Sequence, residues 1–345
     1  MNRFKVLFLG VCLAAPAFAA DYLPLRSGNT WTYRDARFGQ TLTIRVGTPS
    51  VIEGRTYYTL TGYVPKPILV RLNDANDLVA LDEVNRVERV VASFTSKEGA
   101  LWDAPFRECT QQGETLQDRG LHDGPTGPFS GVLELSFRVF FCADTGVESE
   151  QYAANIGMVR RVMNSFAGPV QFDLIYARIG NIVIDASPNA SFSVSAEQTP
   201  GSSFVTATLR LFTNSADELG LPFPTAQEYD VELLDKNDRV LWTWSAGRVF
   251  AQAAHLRVVS GQWTAAVQIP IRDIPNAAAS CCHFTVHAWL TTSGSAPRFA
   301  AAAPIELNGP NGTRLHRSPR GSSPASGSPT RSAAAQVSGA ARRSR

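Results

Sequence analysis

The chain has 345 residues and a formal net charge of +2, a length that as a prior suggests two domains, each able to bury a core without metals or disulfides. The small net charge conceals a partition, because all 30 acidic residues lie between Asp21 and Leu307 with 23 of the 32 basic ones, while residues 309–345 carry seven arginines and no acid. A body near −7 (23 basic against 30 acidic) has the wrong sign for a nucleic-acid-binding core, and a basic arm trails from it.

At the N-terminus Arg3 and Lys5 precede an apolar run from Val6 to Ala15, and Ala17-Phe18-Ala19 supplies the small residues of a cleavage site. Residues 1–20 therefore read as a signal peptide. Val11 stands before Cys12 where lipid-modified precursors carry a small residue, so plain cleavage is expected. No later stretch of about 18 uncharged apolar residues occurs, and no transmembrane segment is expected. The expected location is extracytoplasmic, in the periplasm or secreted.

Outside the leader four cysteines remain, Cys109, Cys142, Cys281 and Cys282. An even number in an oxidising compartment favours disulfides, and three pairings exist. Cys109–Cys142 is the preferred pair. It closes the segment Thr110 to Phe141, rich in Gly and Pro with little else to fix it, and such a bridge contributes about 3 kcal/mol. Cys281 and Cys282 are adjacent; a vicinal disulfide, two thiols, or separate partners all remain open.

Period-2 alternation runs through the chain. Leu42, Ile44 and Val46 alternate with Thr41, Thr43 and Arg45; Leu133, Leu135, Phe137, Val139 and Phe141 alternate with Glu134, Ser136 and Arg138; Val170, Phe172, Leu174 and Tyr176 alternate with Gln171 and Asp173. Each is the pattern of a half-buried antiparallel strand. Turn chemistry separates strands at Val51-Ile52-Glu53-Gly54 and Asn73-Asp74-Ala75-Asn76-Asp77. No segment of twelve or more residues has a helical period, so the fold class is all-β. Composition changes near Asp185-Ala186-Ser187-Pro188-Asn189, which places a first antiparallel β domain at 21–187 and a second at 188–308. Beyond it, residues 309–345 are so poor in large apolar side chains that a disordered tail is expected.

The first domain opens Tyr22, Pro24-Leu25, Gly28-Asn29, Trp31 and Tyr33, and later carries Tyr152-Ala153-Ala154-Asn155-Ile156-Gly157-Met158-Val159. Both segments resemble uncharacterised exported bacterial β-rich proteins. Trp31 and Tyr33 fall on one strand face, and Gly157 can supply a turn with positive φ. Core aromatics are the expectation here; a ligand cup lined by the same rings is the alternative.

In the second domain Val205, Ala207, Leu209 and Leu211 form one strand face, and Tyr229, Val231 and Leu233 another. The turn Asp235-Lys236-Asn237-Asp238 then leads to Val240, Trp242 and Trp244 on one face of the next strand. Asn214, Phe223, Gln227-Glu228-Tyr229-Asp230, Trp242-Thr243-Trp244-Ser245, Gly247, Phe250-Ala251-Gln252-Ala253 and Gly261 together resemble the BsuPI-type intracellular proteinase inhibitor family. The resemblance implies an immunoglobulin-like β-sandwich, extended to Leu307 if the strands Phe284–Leu290 and Phe299–Leu307 belong to it. It also implies inhibition of a subtilisin-like serine protease.

Inhibition requires an exposed extended segment on a rigid scaffold, so that little ordering entropy is lost on binding. Two segments qualify: Ser215 to Pro224, with Leu221 and Phe223, and Ala246 to His255, with Arg248, Phe250 and Gln252. Core packing of Trp242, Trp244 and Phe250 is the plainer expectation for those rings. Cys281, His283 and His287 share a strand face by parity but lack a fourth ligand, so no metal is expected. Carboxylates such as Asp82-Glu83 and Glu148/Glu150 read as solvated surface. Metalloprotease, nucleophile-elbow, phosphate-loop and Cys-x-x-Cys motifs are absent from the sequence. The chain therefore reads as a non-enzyme without cofactor, whose partner is a protein and in the sharper version a serine protease. The competing expectation is a cell-envelope assembly module without inhibitory activity.

Overall fold

In a computed structural model of the chain, residues 21–107, 109–116, 120–139, 142, 145–274, 283–292 and 297–307 are described. The leader 1–20, Cys281, Cys282 and the tail 309–345 lie outside them. Strands make up the described fold, with one 3-10 turn at Ile271–Asp273. The all-β expectation holds.

A meander runs through β1 (Thr30–Asp35), β2 (Thr41–Ile52), β3 (Arg55–Thr61), β4 (Ile68–Leu72), β5 (Leu78–Asp82) and β6 (Val87–Ala92), each antiparallel to the next. The predicted turns are in place, with Glu53, Gly54 and Asn76 at φ of 51°, 76° and 67°. There follow β7 (Leu101–Asp103), β8 (Thr110–Leu116), the small hairpin β9 (Leu121–Gly124) and β10 (Gly127–Ser130), then β11 (Leu133–Val139), β12 (Val147–Ala153), β13 (Gly157–Met163), β14 (Val170–Ile179) and β15 (Ile182–Asp185). Strand β14 joins the two runs by pairing with β1, so the order reads β6-β5-β4-β3-β2-β1-β14-β13-β12-β11-β8-β7.

The ends of this sheet approach each other. The Thr115 hydroxyl in β8 donates to the carbonyl of Ser93, just beyond β6, at 3.1 Å. The sheet thus curls into a near-barrel, and inward side chains from every quarter of it form one core. The alternations through Ile44, Leu135 and Leu174 all point into that core. Where the chain opens, Trp31 Nε1 donates to the Ile156 carbonyl at 2.7 Å and the Tyr33 hydroxyl to that of Met158 at 2.9 Å. Gly157, at φ 109°, sits between those carbonyls, and a Cβ there would lie 2.7 Å from Trp31 Nε1. The two N-terminal motifs are therefore two sides of one contact, and the rings are core.

One expectation fails in this core. Glu150 is fully buried, between the guanidiniums of Arg107 and Arg161 and beneath the hydroxyls of Tyr63 and Tyr152. It is not solvated surface: it shares parity with the inward Tyr152, and its compensating cations arrive from elsewhere in the chain. The disulfide Cys109–Cys142 is present. Its physical setting differs from the unsupported loop expected, because β8 and β11 between the cysteines pair directly, ending at Val139 opposite Thr110. The bridge staples the end of that ladder.

Beyond Asp185 the strands β16 (Ala190–Glu197), β17 (Phe204–Thr213) and β22 (Gln262–Pro270) form one antiparallel sheet. Strands β20 (Val240–Thr243), β19 (Tyr229–Leu234), β23 (His283–Leu290) and β24 (Ala300–Glu306) form a second. Val205, Ala207, Leu209, Val267 and Ile269 of the first meet Val231, Leu233, Phe284, Val286 and Ala288 of the second in one core, which makes a sandwich of three strands on four. Two further strands leave it: β18 (Glu218–Phe223) and β21 (His255–Val259) pair with each other, and β18 runs parallel to β15, with Ile182 opposite Glu218 and Val183 opposite Leu219. The large sheet therefore continues across the 185–189 segment.

Candidate protein-binding loop

The two segments expected to be exposed are placed differently. Glu218–Phe223 is strand β18, held between β15 and β21, and Leu221 and Phe223 are buried in a small core with Leu219, Val259 and Leu290. That corrects the loop expectation for 215–224: pairing with β21 opposite Arg257 and His255, and apolar packing, remove both side chains from any partner's reach. Pro222 is accommodated there although a paired strand disfavours it.

Ala246 to His255 is a true loop, built from the residues that carry the motif. Asp230 is buried at the start of β19 and collects four donors. Its Oδ1 accepts from the backbone of Val231 at 2.8 Å and of Ser245 at 3.1 Å, and its Oδ2 accepts from the Ser245 hydroxyl at 2.5 Å and Gln227 Nε2 at 3.2 Å. Trp244 has already left β20, its backbone N–H donating to Val231 at 2.8 Å. The predicted Val240-Trp242-Trp244 face is accordingly only half realised: a bulge opposite Leu233 and Leu234 shifts register, Val240 is exposed, and both tryptophans are half-buried.

Gly247, at φ 76°, turns the chain outward. The Arg248 guanidinium lies 4.6 Å from the centre of the Trp244 ring and its Nε donates to the Trp244 carbonyl at 2.8 Å. Phe250 packs on Trp244 with ring centres 5.6 Å apart, and Tyr229 does so at 4.6 Å. Burial there pushes the Tyr229 hydroxyl above the ordinary tyrosine range. Gln252 is exposed and its Nε2 reaches the Phe250 carbonyl at 3.4 Å. With Arg248 and Phe250 folded back onto Trp244, the residue between them projects: Val249 is 98% exposed. Sequence reasoning missed Val249 because its neighbours carry the conspicuous chemistry.

The far end of the loop is tied as well. Ala226 donates its N–H to the Ala251 carbonyl at 2.9 Å. His255 stacks on Phe223 with ring centres 5.4 Å apart, and its Nε2 lies 2.9 Å from Glu228 Oε1, which also pairs with Arg257. Elsewhere, the outer face of β23 carries His283, 3.5 Å from Glu306, and His287, 4.0 Å from Glu232. Each faces a carboxylate across the sheet; the third member of that constellation, Cys281, is outside the described residues.

Residues 190–295 match the family described as BsuPI, intracellular proteinase inhibitor. The BsuPI match covers the C-terminal half from β16 through β23, and no family covers the N-terminal half. No curated protein matches the chain. Within the BsuPI segment the motif residues now have physical roles: Gln227, Asp230 and Ser245 close the base of the loop, Trp244 supports its two shoulders, and Gly247 permits its turn.

Asp230→Ala is expected to destabilise the protein by about 1.5–3 kcal/mol, since it leaves buried donors unpaired. It is also expected to make the 246–254 segment the first site of limited proteolysis. Urea titration and mass mapping of the fragments check both; an unchanged cleavage pattern would show that Asp230 does not hold the loop.

Proposed function

We propose that the protein is an exported, non-enzymatic protease-binding protein, whose loop from Ala246 to Ala254 enters the cleft of a subtilisin-like serine protease. The observation that carries this reading is the geometry at Val249: an apolar side chain projects from a loop tied at both ends and stiffened by stacking on Trp244. A segment ordered before binding loses little entropy on docking, which is what a tight inhibitor needs. The inhibitor-family match of residues 190–295 supports it. Export is supported by the leader-like residues 1–20 and by the disulfide, which suits an oxidising compartment. Division of the mature chain near 185–189 into an N-terminal β unit and a BsuPI-like unit, followed by a disordered tail, belongs to the same proposal.

The test is a titration of the full-length mature protein against a panel of serine proteases, subtilisin-like enzymes included. The expected result is stoichiometric slowing of at least one, with Val249→Asp weakening it at least 100-fold, or about 2.7 kcal/mol. Arg248→Ala and Phe250→Ala are expected to weaken it while the thermal transition is kept. Rapid cleavage of the protein with no slowing across the panel would overturn the proposal and favour an assembly role.

A further inference from the structure

The N-terminal near-barrel contains a cleft of about 310 Å3 that the loop chemistry does not use. Its walls include Leu42, Val64, Val147 and Met163, and it is also lined by Tyr63, Arg107 and Arg161. The two arginines are 5% and 3% exposed, so their charges belong to the interior.

Their compensation is incomplete. Glu150 is the carboxylate between them: it accepts from Arg107 Nη1 at 3.0 Å, Arg107 Nη2 at 2.6 Å and Arg161 Nε at 2.8 Å. Tyr63 and Tyr152 add hydroxyls at 3.0 and 2.6 Å, and burial raises both phenols well above the ordinary tyrosine range, so they stay neutral. Two guanidiniums against one carboxylate leave one positive charge. Arg107 Nε is buried without a hydrogen-bond partner, and Arg161 Nη2, although 2.6 Å from Glu150 Oε1, is not aligned to donate to it. An uncompensated buried cation costs several kcal/mol unless an anion or polar group meets it. The apolar walls beside it favour a ligand body without charge.

We propose that this cleft binds a small organic monoanion, a carboxylate on a short hydrocarbon body, with the carboxylate against the Arg107 and Arg161 end and the chain along Leu42, Val147 and Met163. A cleft of about 310 Å3 lies at the lower end of the ~300–1,000 Å3 range of small-ligand sites, which suits a short ligand. Octanoate is the probe.

Calorimetric titration of the full-length protein with octanoate is expected to show saturable 1:1 binding, with a concentration-dependent rise in the thermal midpoint. Acetate, which has the charge without the body, and 1-octanol, which has the body without the charge, are each expected to bind at least tenfold more weakly. Met163→Trp narrows the cleft from its apolar wall, leaving the residues of the ionic cluster unchanged, and is expected to weaken octanoate at least tenfold while the thermal midpoint holds; if that variant fails to fold, Leu42→Phe takes its place. Absence of octanoate binding, equal binding of 1-octanol, or full binding by the folded, narrowed variant would each overturn the proposal.

Discussion

Replacing Glu150 with alanine is expected to destabilise the protein by about 3–5 kcal/mol, because removing one member of a buried ionic cluster strands the others. Arg107 and Arg161 would then sit in the core with no carboxylate, Arg107 against the rings of Tyr63 and Phe137 at 4.9 and 4.0 Å. The same group sets an acid dependence. Burial alone would raise the Glu150 carboxyl, but the two guanidiniums and the Tyr152 hydroxyl outweigh it and hold it at about 2, against 4.5 for an ordinary glutamate. A carboxyl lowered on folding stabilises the native state above its unfolded value and loses that contribution as pH falls through the folded one. The wild type should therefore shed about 3 kcal/mol on this account between pH 5 and pH 2. Glu150→Gln should be weaker at pH 7 and flatter across that window. Urea titrations at pH 7, 5, 4 and 3 measure both; parallel curves for the two proteins would refute the assignment.

The second large effect belongs to Cys109 and Cys142. Replacing both by serine is expected to cost about 3–4 kcal/mol through the freedom returned to the unfolded chain, since the bridge spans 33 residues of sequence. For a protein of this size that corresponds to a fall in midpoint of roughly 4–6 °C. Treating the wild type with reductant should reproduce the drop, and the double variant should not respond to reductant. A wild type indifferent to reductant would place the stability of β8 and β11 in their ladder alone.

Strand alternation is local information, so much of the fold was legible from residues such as Ile44, Leu135 and Leu209, whose neighbours announce a buried face. The Cys109–Cys142 pair was legible too, although for an incomplete reason, as pairing between β8 and β11 spans positions that no short window relates. Glu150 was illegible for the same cause: its partners lie 43 and 11 residues away, and a carboxylate among polar neighbours looks solvated until they arrive. In the candidate loop, the segment from Ala246 to His255 was readable as a loop and Phe250 as packing on a tryptophan, whereas Val249 was not, because its prominence follows from Arg248 and Phe250 turning back onto Trp244. Leu221 and Phe223 misled because Pro222 and Pro224 suggest a loop. Strand β18 owes the burial of those side chains to residues far along the chain, Val259 of β21, Leu290 of β23 and Phe299.

That parallel pairing has a mechanical meaning. One foot of the 246–254 loop stands in the sandwich, through Ser245 on Asp230, and the other runs straight into β21, which β18 fastens to the large sheet. A cut made at Val249 would therefore not free either end. Each new terminus would remain clamped to a separate sheet, and the two halves of the broken bond would stay face to face, as across a gap in an arch whose piers have not moved.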